Sequence, residues 1–375
     1  MQKTTSNNNS PKSMPSRTEI VTAMSNSVCH KADELKGGSV IKNGTRVVQY
    51  AGGYTNVFPF VAKDGKKVAV RCWCADIDQA KERCQRISEF LKQDTSRYFV
   101  NFKYVDDALL IGGVLHPIVV MEWVDGLTLK KYVEEHGPSK ALFLDLAAKF
   151  LEMAQYLHSH NIAHGDLQHG NIMVRPDGSL VLIDYDSMYI DDLKGYTDVV
   201  KGLPGYQHPN RDRNRLLTPK LDYFSELVIY LSLNIFAEQP NLWSEYVDTE
   251  DLLFSIDDFA NLKQSALYKQ FRNSTNPTIA KLMKLLEEAL AKDNIDELGP
   301  IELLLGDSAT TATTSQQVDV DKILSKMTVT VKPEPVSTPD VQAILRKISS
   351  LRAALETHEK LPEIDVDLIL KKFAS

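Results

Sequence analysis

Asp166, Asn171 and Asp184 are the residues of this chain best suited to do chemistry. Asn171 lies five residues after Asp166, and Asp184 thirteen beyond that. They sit in two short segments, His164-Gly165-Asp166-Leu167-Gln168-His169-Gly170-Asn171 and Leu182-Ile183-Asp184-Tyr185-Asp186. Two carboxylates and one carboxamide suit phosphoryl transfer. That reaction needs a base to orient an acceptor hydroxyl and oxygen ligands to hold Mg²⁺ on phosphates. A lone Asp in a loop is more often a turn or cap residue. Three such groups in two short segments outweigh that reading.

Flanking elements must hold these loops in place. Residues 140–158 read as a long apolar-periodic helix running straight into His164, and 180–184 as a short strand. Upstream, 45–50, 57–62 and 68–73 read as strands, with Asp64-Gly65 as a hairpin turn because that pair tolerates positive φ. Residues 76–92 read as a helix, with Ile77, Ala80, Cys84, Ile87 and Leu91 near helical spacing. Two more strands are expected at 98–104 and 114–123. Downstream, 221–236 is apolar enough for a buried helix. Residues 277–292 are amphipathic, with Pro277 well placed at a helix start. Residues 18–45 are ambiguous, with room for a short helix at 19–30.

The 375 residues suffice for one large domain or two ordinary ones plus tails. A net charge of −7 argues against nucleic-acid or acidic-membrane binding. Cys72 and Cys74 form a C-x-C, but only four cysteines are present and no second pair completes a zinc site. Reduced thiols in a cytoplasmic protein are expected. The polar, Pro-interrupted N-terminus has no apolar signal-peptide core, and no run of about 18 apolar residues suggests a membrane span.

In their order along the chain, these motifs resemble the bacterial branch of the eukaryotic-like Ser/Thr protein kinase family, over roughly residues 45–305. The resemblance implies an α+β, bilobal protein-kinase-like fold. A partly disordered extension (1–44) would precede a small β-rich N-lobe (45–124) and a helical C-lobe (125–306). A Thr/Ser/Pro-rich linker (307–339) and a flexible helical tail (340–375) would follow.

The resemblance also assigns roles. Asp166 matches the base, Asn171 and Asp184 the metal ligands, and ATP with Mg²⁺ (or Mn²⁺) the cofactor. Gly52 and Gly53, in Tyr50-Ala51-Gly52-Gly53-Tyr54-Thr55, sit where the family has its phosphate-cradling loop. Val68-Ala69-Val70-Arg71 aligns with the strand whose lysine holds the α- and β-phosphates. Its helix partner should be Glu82, with Glu89 as the alternative. Met121, Glu122, Trp123 and Val124 match the hinge that meets adenine, with Met121 as gatekeeper. Gly202-Leu203-Pro204-Gly205-Tyr206-Gln207-His208-Pro209 resembles the end of the activation segment, where a protein substrate docks. Asp222 matches the buried brace of the catalytic loop, with an ordinary helix N-cap as the plain alternative.

Four departures from the family stand out. Arg71 replaces lysine, Gly165 replaces arginine, Gln168 sits at the catalytic-loop lysine position, and Asp186 replaces glycine. Asp186 would add a third carboxylate near the metal site, binding a second cation through water or raising the repulsion when no metal is present. Without an arginine at 165, phosphate on Tyr196 or Thr197 should not be the main on-switch. His164-Gly165-Asp166 is also close to small-molecule phosphotransferases, and the substitutions leave a nucleotide-binding pseudokinase open. Finally, the octamer Asp-Val-x-x-Ile-Leu-x-Lys recurs at 319–326, 340–347 and 365–372. Each copy can make a short helix with a narrow apolar face, suited to dock a partner protein, to regulate in cis, or to form a small bundle. The hydroxyl-rich run 310–315 is a natural autophosphorylation acceptor.

Overall fold

The structure, a computed structural model, describes residues 14–75 and 79–306. The N-terminal polar segment, the run at 310–315, the linker and the three octamers lie outside the described residues.

Helix α1 (Arg17–Met24) starts at Ser16, which accepts from Glu19 N–H while the Glu19 carboxylate accepts from Ser16 N–H at 2.8 Å. Short strands follow: β1 (Ser39–Val40), the hairpin β2 (Lys42–Asn43) with β3 (Arg46–Val47), and β4 (Tyr50–Ala51). The main sheet adds β5 (Thr55–Val61), β6 (Lys67–Trp73), β7 (Phe102–Ile111) and β8 (Val114–Glu122). Its antiparallel order is β1-β5-β6-β8-β7, with β4 also on β5. Gly65, at φ +84, closes the β5–β6 hairpin, and Asp64 accepts from Lys66 N–H at 3.0 Å. Helix α2 (Ala80–Gln93) crosses one face of this sheet.

The C-terminal region is helical. Strand β9 (Leu127–Thr128) and α3 (Leu129–His136) lead into α4 (Lys140–Ser159). The hairpin β10 (Ile172–Val174) and β11 (Leu180–Leu182) carries Asn171 and Asp184 at its two ends and pairs with β9. Then come α5 (Tyr223–Glu238), α6 (Trp243–Tyr246), α7 (Ile256–Ala260), α8 (Ala266–Phe271), α9 (Pro277–Leu290) and α10 (Ile301–Leu305). Helix α5 is apolar on every side and almost wholly buried between α4 and α9.

The strand expected at 98–104 begins later and runs longer. Tyr98 and Val100 pair instead with the C-terminal region: Leu182 N–H donates to Tyr98 O at 2.8 Å, and Val100 N–H to the Tyr185 hydroxyl at 2.9 Å. Strand β7 then passes through the unpromising Asp106-Asp107 by a bulge, with Asp107 at φ +49. Two apolar cores result. The larger runs from β6 and α2 into the helices, and the smaller packs α1 against the opposite face of the sheet. No helix among the described residues is long and apolar enough to cross a membrane.

Candidate active site

Helix α4 ends where Asn161 adopts φ +55, and the chain turns into the loop carrying His164 to Asn171. Asp222 holds that loop. Its carboxylate accepts from the N–H groups of His164 and Gly165, the latter at 2.9 Å, and although Asp222 stands at the N-cap position of α5 its side chain makes no capping bond there. His164 is fully buried. Its Nδ1 accepts from Asp166 N–H at 3.3 Å, which leaves Nε2–H to donate to Ile183 O at 2.9 Å. The two loops are thereby tied together.

Asp166 and Asn171 meet directly. Asn171 Nδ2 donates to Asp166 O at 2.8 Å and to Asp166 Oδ2 at 3.0 Å. The amide nitrogen is thus occupied, and the amide oxygen is the atom left for a cation. Asp166 Oδ1 is buried against the backbone of Gly202 and Leu203 without a well-formed hydrogen bond. Burial raises the Asp166 pKa, opposed by the His164 ring and reinforced by Asp184. The result is a more basic carboxylate with one oxygen still to be satisfied.

Asp184 sits at φ +68, a left-handed conformation that is uncommon for a non-glycine residue. Its side chain is 47% exposed and lines the same cavity as Asn171 and Arg71. That cavity measures about 480 Å³. Val57 and Ala69 line it from the sheet, Met173 and Ile183 from the β10–β11 side, and Met121, Glu122, Trp123 and Val124 from the hinge. Among the described residues, no backbone carbonyl takes the N–H of Trp123 or Val124. Tyr50 packs on the Trp123 ring at 6.5 Å, and Lys67 Nζ stands 3.8 Å from the ring centre. Gly52 and Gly53 do not line the cavity. Their carbonyls accept from Arg17 of α1, the Gly53 contact at 3.4 Å.

Two expected roles change. Glu82 does not pair with Arg71. It binds Arg86 one turn on, at 2.7 Å, and is half exposed, while Glu89 pairs with Lys92 at 2.9 Å. The buried face of α2 carries Arg83, Cys84, Ile87, Ser88 and Leu91, which turns both glutamates outward. Asp186 does not line the cavity beside Asp184 as a third metal ligand. Its Oδ1 lies 2.5 Å from Arg71 Nη2, and Asp184 Oδ1 lies 2.8 Å from Arg71 Nη1. Burial works against the Arg71 charge, but Asp186 and Asp184 raise its pKa and keep it protonated. Burial pushes the Asp186 carboxyl up to about 6 against the pull of Arg71.

Several residues around the site escaped the sequence reading. Tyr185 is fully buried, and its hydroxyl donates to Leu182 O at 2.7 Å while accepting from Val100 N–H. Arg83 reaches from α2 to Asp186 O at 3.0 Å and Thr197 O at 2.8 Å. Arg211 binds Asp198 through Nε at 3.0 Å and Nη2 at 3.1 Å, and donates through Nη1 to Gly165 O at 2.5 Å. Gly165 has φ +79, and a Cβ there would collide with Ser187 O. No arginine fits at 165 for that reason, and Arg211 reaches the same backbone from another segment.

Residues 51–305 match the family described as "Protein kinase domain". This chain belongs to the protein kinase family. Among similar proteins, an uncharacterized protein of Dictyostelium discoideum is 37% identical over 108 residues, covering 28% of this chain and 11% of its own length. Serine/threonine-protein kinase PrkC of Bacillus subtilis is 26% identical over 118 residues, covering 31% and 18%. The interferon-induced, double-stranded RNA-activated protein kinase of Rattus norvegicus is 24% identical over 262 residues, covering 64% and 50%. The chain thus spans half or less of the length of these relatives.

The site suits a complex of a nucleotide with a divalent cation. Mg²⁺ is usually held by one or two protein oxygens plus phosphates rather than by an all-protein cage. Asn171 and Asp184 supply such a pair, and no cluster of three or more His, Cys, Asp or Glu arranged for a metal occurs among the described residues. The Arg71 cation lies at the same end.

Proposed function

We propose that this protein kinase transfers the γ-phosphate of ATP to Ser or Thr hydroxyls of a protein substrate. The observation that carries this reading is the gathering of Asn171, Asp184 and Arg71 at one end of a cavity, with Asp166 bonded to Asn171 behind them, while the other end offers unused backbone N–H groups. Mg²⁺- or Mn²⁺-bound ATP, when present, supplies the transferable phosphoryl group and neutralises its charge.

Asp166 orients the acceptor hydroxyl and receives its proton on a carboxylate made more basic by burial. Asn171 and Asp184 hold the metal, and Asn171 also fixes Asp166 through its amide nitrogen. Arg71 meets the phosphates as a fork of donors. The hinge at 121–124 receives the base. The names of the relatives, PrkC among them, favour Ser/Thr acceptors. The three tail octamers recruit a partner protein to the kinase, which the threefold recurrence of one apolar-faced motif along 319–372 supports.

Label transfer from γ-labelled ATP, with Mg²⁺ or Mn²⁺, tests the reading. Wild type should label Ser or Thr, and Asp166→Ala should lower the rate by about 10²–10⁴-fold. Bound nucleotide without any transfer would replace this reading by a pseudokinase scaffold. Label on small alcohols but on no protein would replace it by a small-molecule phosphotransferase. Deleting 316–375 should leave transfer to a generic substrate intact and remove the recruited partner.

A further inference from the structure

Arg71 is only 1% exposed and lies beside the rings of Trp73 and Phe102, at 5.5 and 5.7 Å. A guanidinium in such surroundings must be paired. Helix α2 offers it no anion. Glu82 and Glu89 point to solvent with partners of their own, and the α2 side chain beside Arg71 is Cys84. Burial pushes that thiol up to about 12, so it stays neutral.

The anions come instead from the metal loop, the segment after β11 that carries Asp184. Asp184 and Asp186, two residues apart, take the two terminal nitrogens of the guanidinium separately. A lysine would have to share one nitrogen between the two carboxylates, whereas the arginine fork offers each carboxylate a nitrogen of its own. Two of the departures noted in the sequence, Arg71 and Asp186, are therefore two halves of one contact. The carboxylates differ in what else they can do. Asp184 faces the cavity and is free to turn to a cation, while Asp186 lies away from the cavity with a side chain 15% exposed. Asp186 remains on Arg71 when Asp184 leaves. Arg83 of α2 then grips the Asp186 carbonyl, so the helix is connected to this pair through backbone.

We propose that Asp186 is the counter-ion that positions Arg71 for nucleotide phosphates, standing in for a glutamate of helix α2. The inference rests on reading the cavity as a nucleotide site. It implies that the Arg71 cation is set by the metal loop itself, and that no glutamate swinging in on α2 is needed to complete the site.

The test is titration calorimetry of Mg²⁺–ADP on the full chain, with thermal unfolding of each protein without nucleotide. Asp186→Asn should weaken Mg²⁺–ADP by about tenfold or more, as Arg71→Gln should. Asp186→Glu, which keeps the charge, should restore affinity to within about fivefold. The Arg71→Gln/Asp186→Asn double variant should be no weaker than Arg71→Gln by more than about twofold, because both changes remove one contact. The same non-additivity should appear in the unfolding temperatures without nucleotide. Glu82→Gln and Glu89→Gln should each stay within about threefold of wild type.

Wild-type affinity in Asp186→Asn, or losses that multiply in the double variant, would overturn the proposal. So would a tenfold loss in Glu82→Gln or Glu89→Gln, and that arm decides the matter if Asp186→Asn does not fold. ADP lacks the γ-phosphate, so its binding is read without any transfer. Absence of label transfer by wild type would therefore sink the kinase reading and leave this contact standing. A wild type that binds no Mg²⁺–ADP would sink both.

Discussion

Arg71 and Arg211 are both buried and both paired with aspartate, yet their surroundings differ. Arg211 directs its donors onto Asp198, the Gly165 carbonyl and Gln207, and the Asp198 side chain is fully buried. Arg71 holds one carboxylate that is largely enclosed and one that is half exposed, and its Nε has no partner. The first arrangement is closed and braces the loop that carries Asp166. The second is left open on the side where a ligand arrives. A buried ion pair adds little net stability over an apolar pair of the same shape, but breaking one half of it is costly. The closed cluster is therefore expected to govern folding, and the open one binding and rate.

Breaking the closed cluster should give the largest effect. Asp198→Asn leaves Arg211 buried without its anion and should cost about 3–5 kcal/mol in urea unfolding. Equal stability of variant and wild type would remove the distinction between the two clusters. Asp184→Asn tests the open cluster. Phosphoryl transfer should fall by about 10²–10³-fold, while stability changes by less than about 1 kcal/mol because Asp184 is half exposed and Asp186 still holds Arg71. A variant that unfolds as readily as Asp198→Asn would contradict this.

A third buried pairing sharpens the contrast through pH. His158 lies between Glu226 of α5 and Glu302 of α10, with Nε2 and Nδ1 each 2.8 Å from a carboxylate oxygen and the Tyr223 ring edge-on at 5.0 Å. Burial lowers its pKa, but the two carboxylates outweigh burial and raise it to about 10. A raised folded-state pKa means that the stabilisation is complete below about 6.5 and is lost as pH rises toward 10. Relative to His158→Gln, wild type should lose unfolding temperature steadily between pH 7 and 10. Parallel curves for the two proteins would show that the charge is absent.

The smallest effect is expected at Thr197. Its exposed side chain is not what ties the segment down. Its carbonyl accepts from Arg83, and the neighbouring Asp198 is fixed by Arg211. Thr197→Ala should change transfer by less than about threefold. A large loss in a folded variant would mean that a phosphate at 197 is the switch after all.

The proximity of the loop residues was legible because it is local. Asn171 and Asp184 lie at the two ends of one short hairpin and Asp166 in the loop just before it, so their spacing in sequence becomes distance in space. Helices α4 and α5 were legible from apolar periodicity, to within two residues at their ends. The partner of Arg71 was not, because pairing between distant charges is a tertiary choice. Part of the signal was nevertheless present. Cys84, Ile87 and Leu91 were readable as the apolar stripe of α2, and that stripe alone turns Glu82 and Glu89 to the opposite side. Family analogy overrode helix phase there. Arg83 and Arg211 had no local mark at all, since an arginine with a buried role looks in sequence like any surface arginine.

Tyr185 bears on the design of ligands for this cleft. One way to enlarge the space for a ligand would be to push Tyr185, the residue after Asp184, out of its pocket. Here that residue is fixed by two hydrogen bonds to backbone groups and lies within 5.8 Å of the Phe99 and Phe102 rings. Expelling it would free the Val100 N–H and the Leu182 carbonyl, at about 0.5–1.5 kcal/mol for each lost bond before any ring contact is counted. Ligands that leave Tyr185 in place and reach the hinge N–H groups at 123 and 124 are the ones this cleft favours.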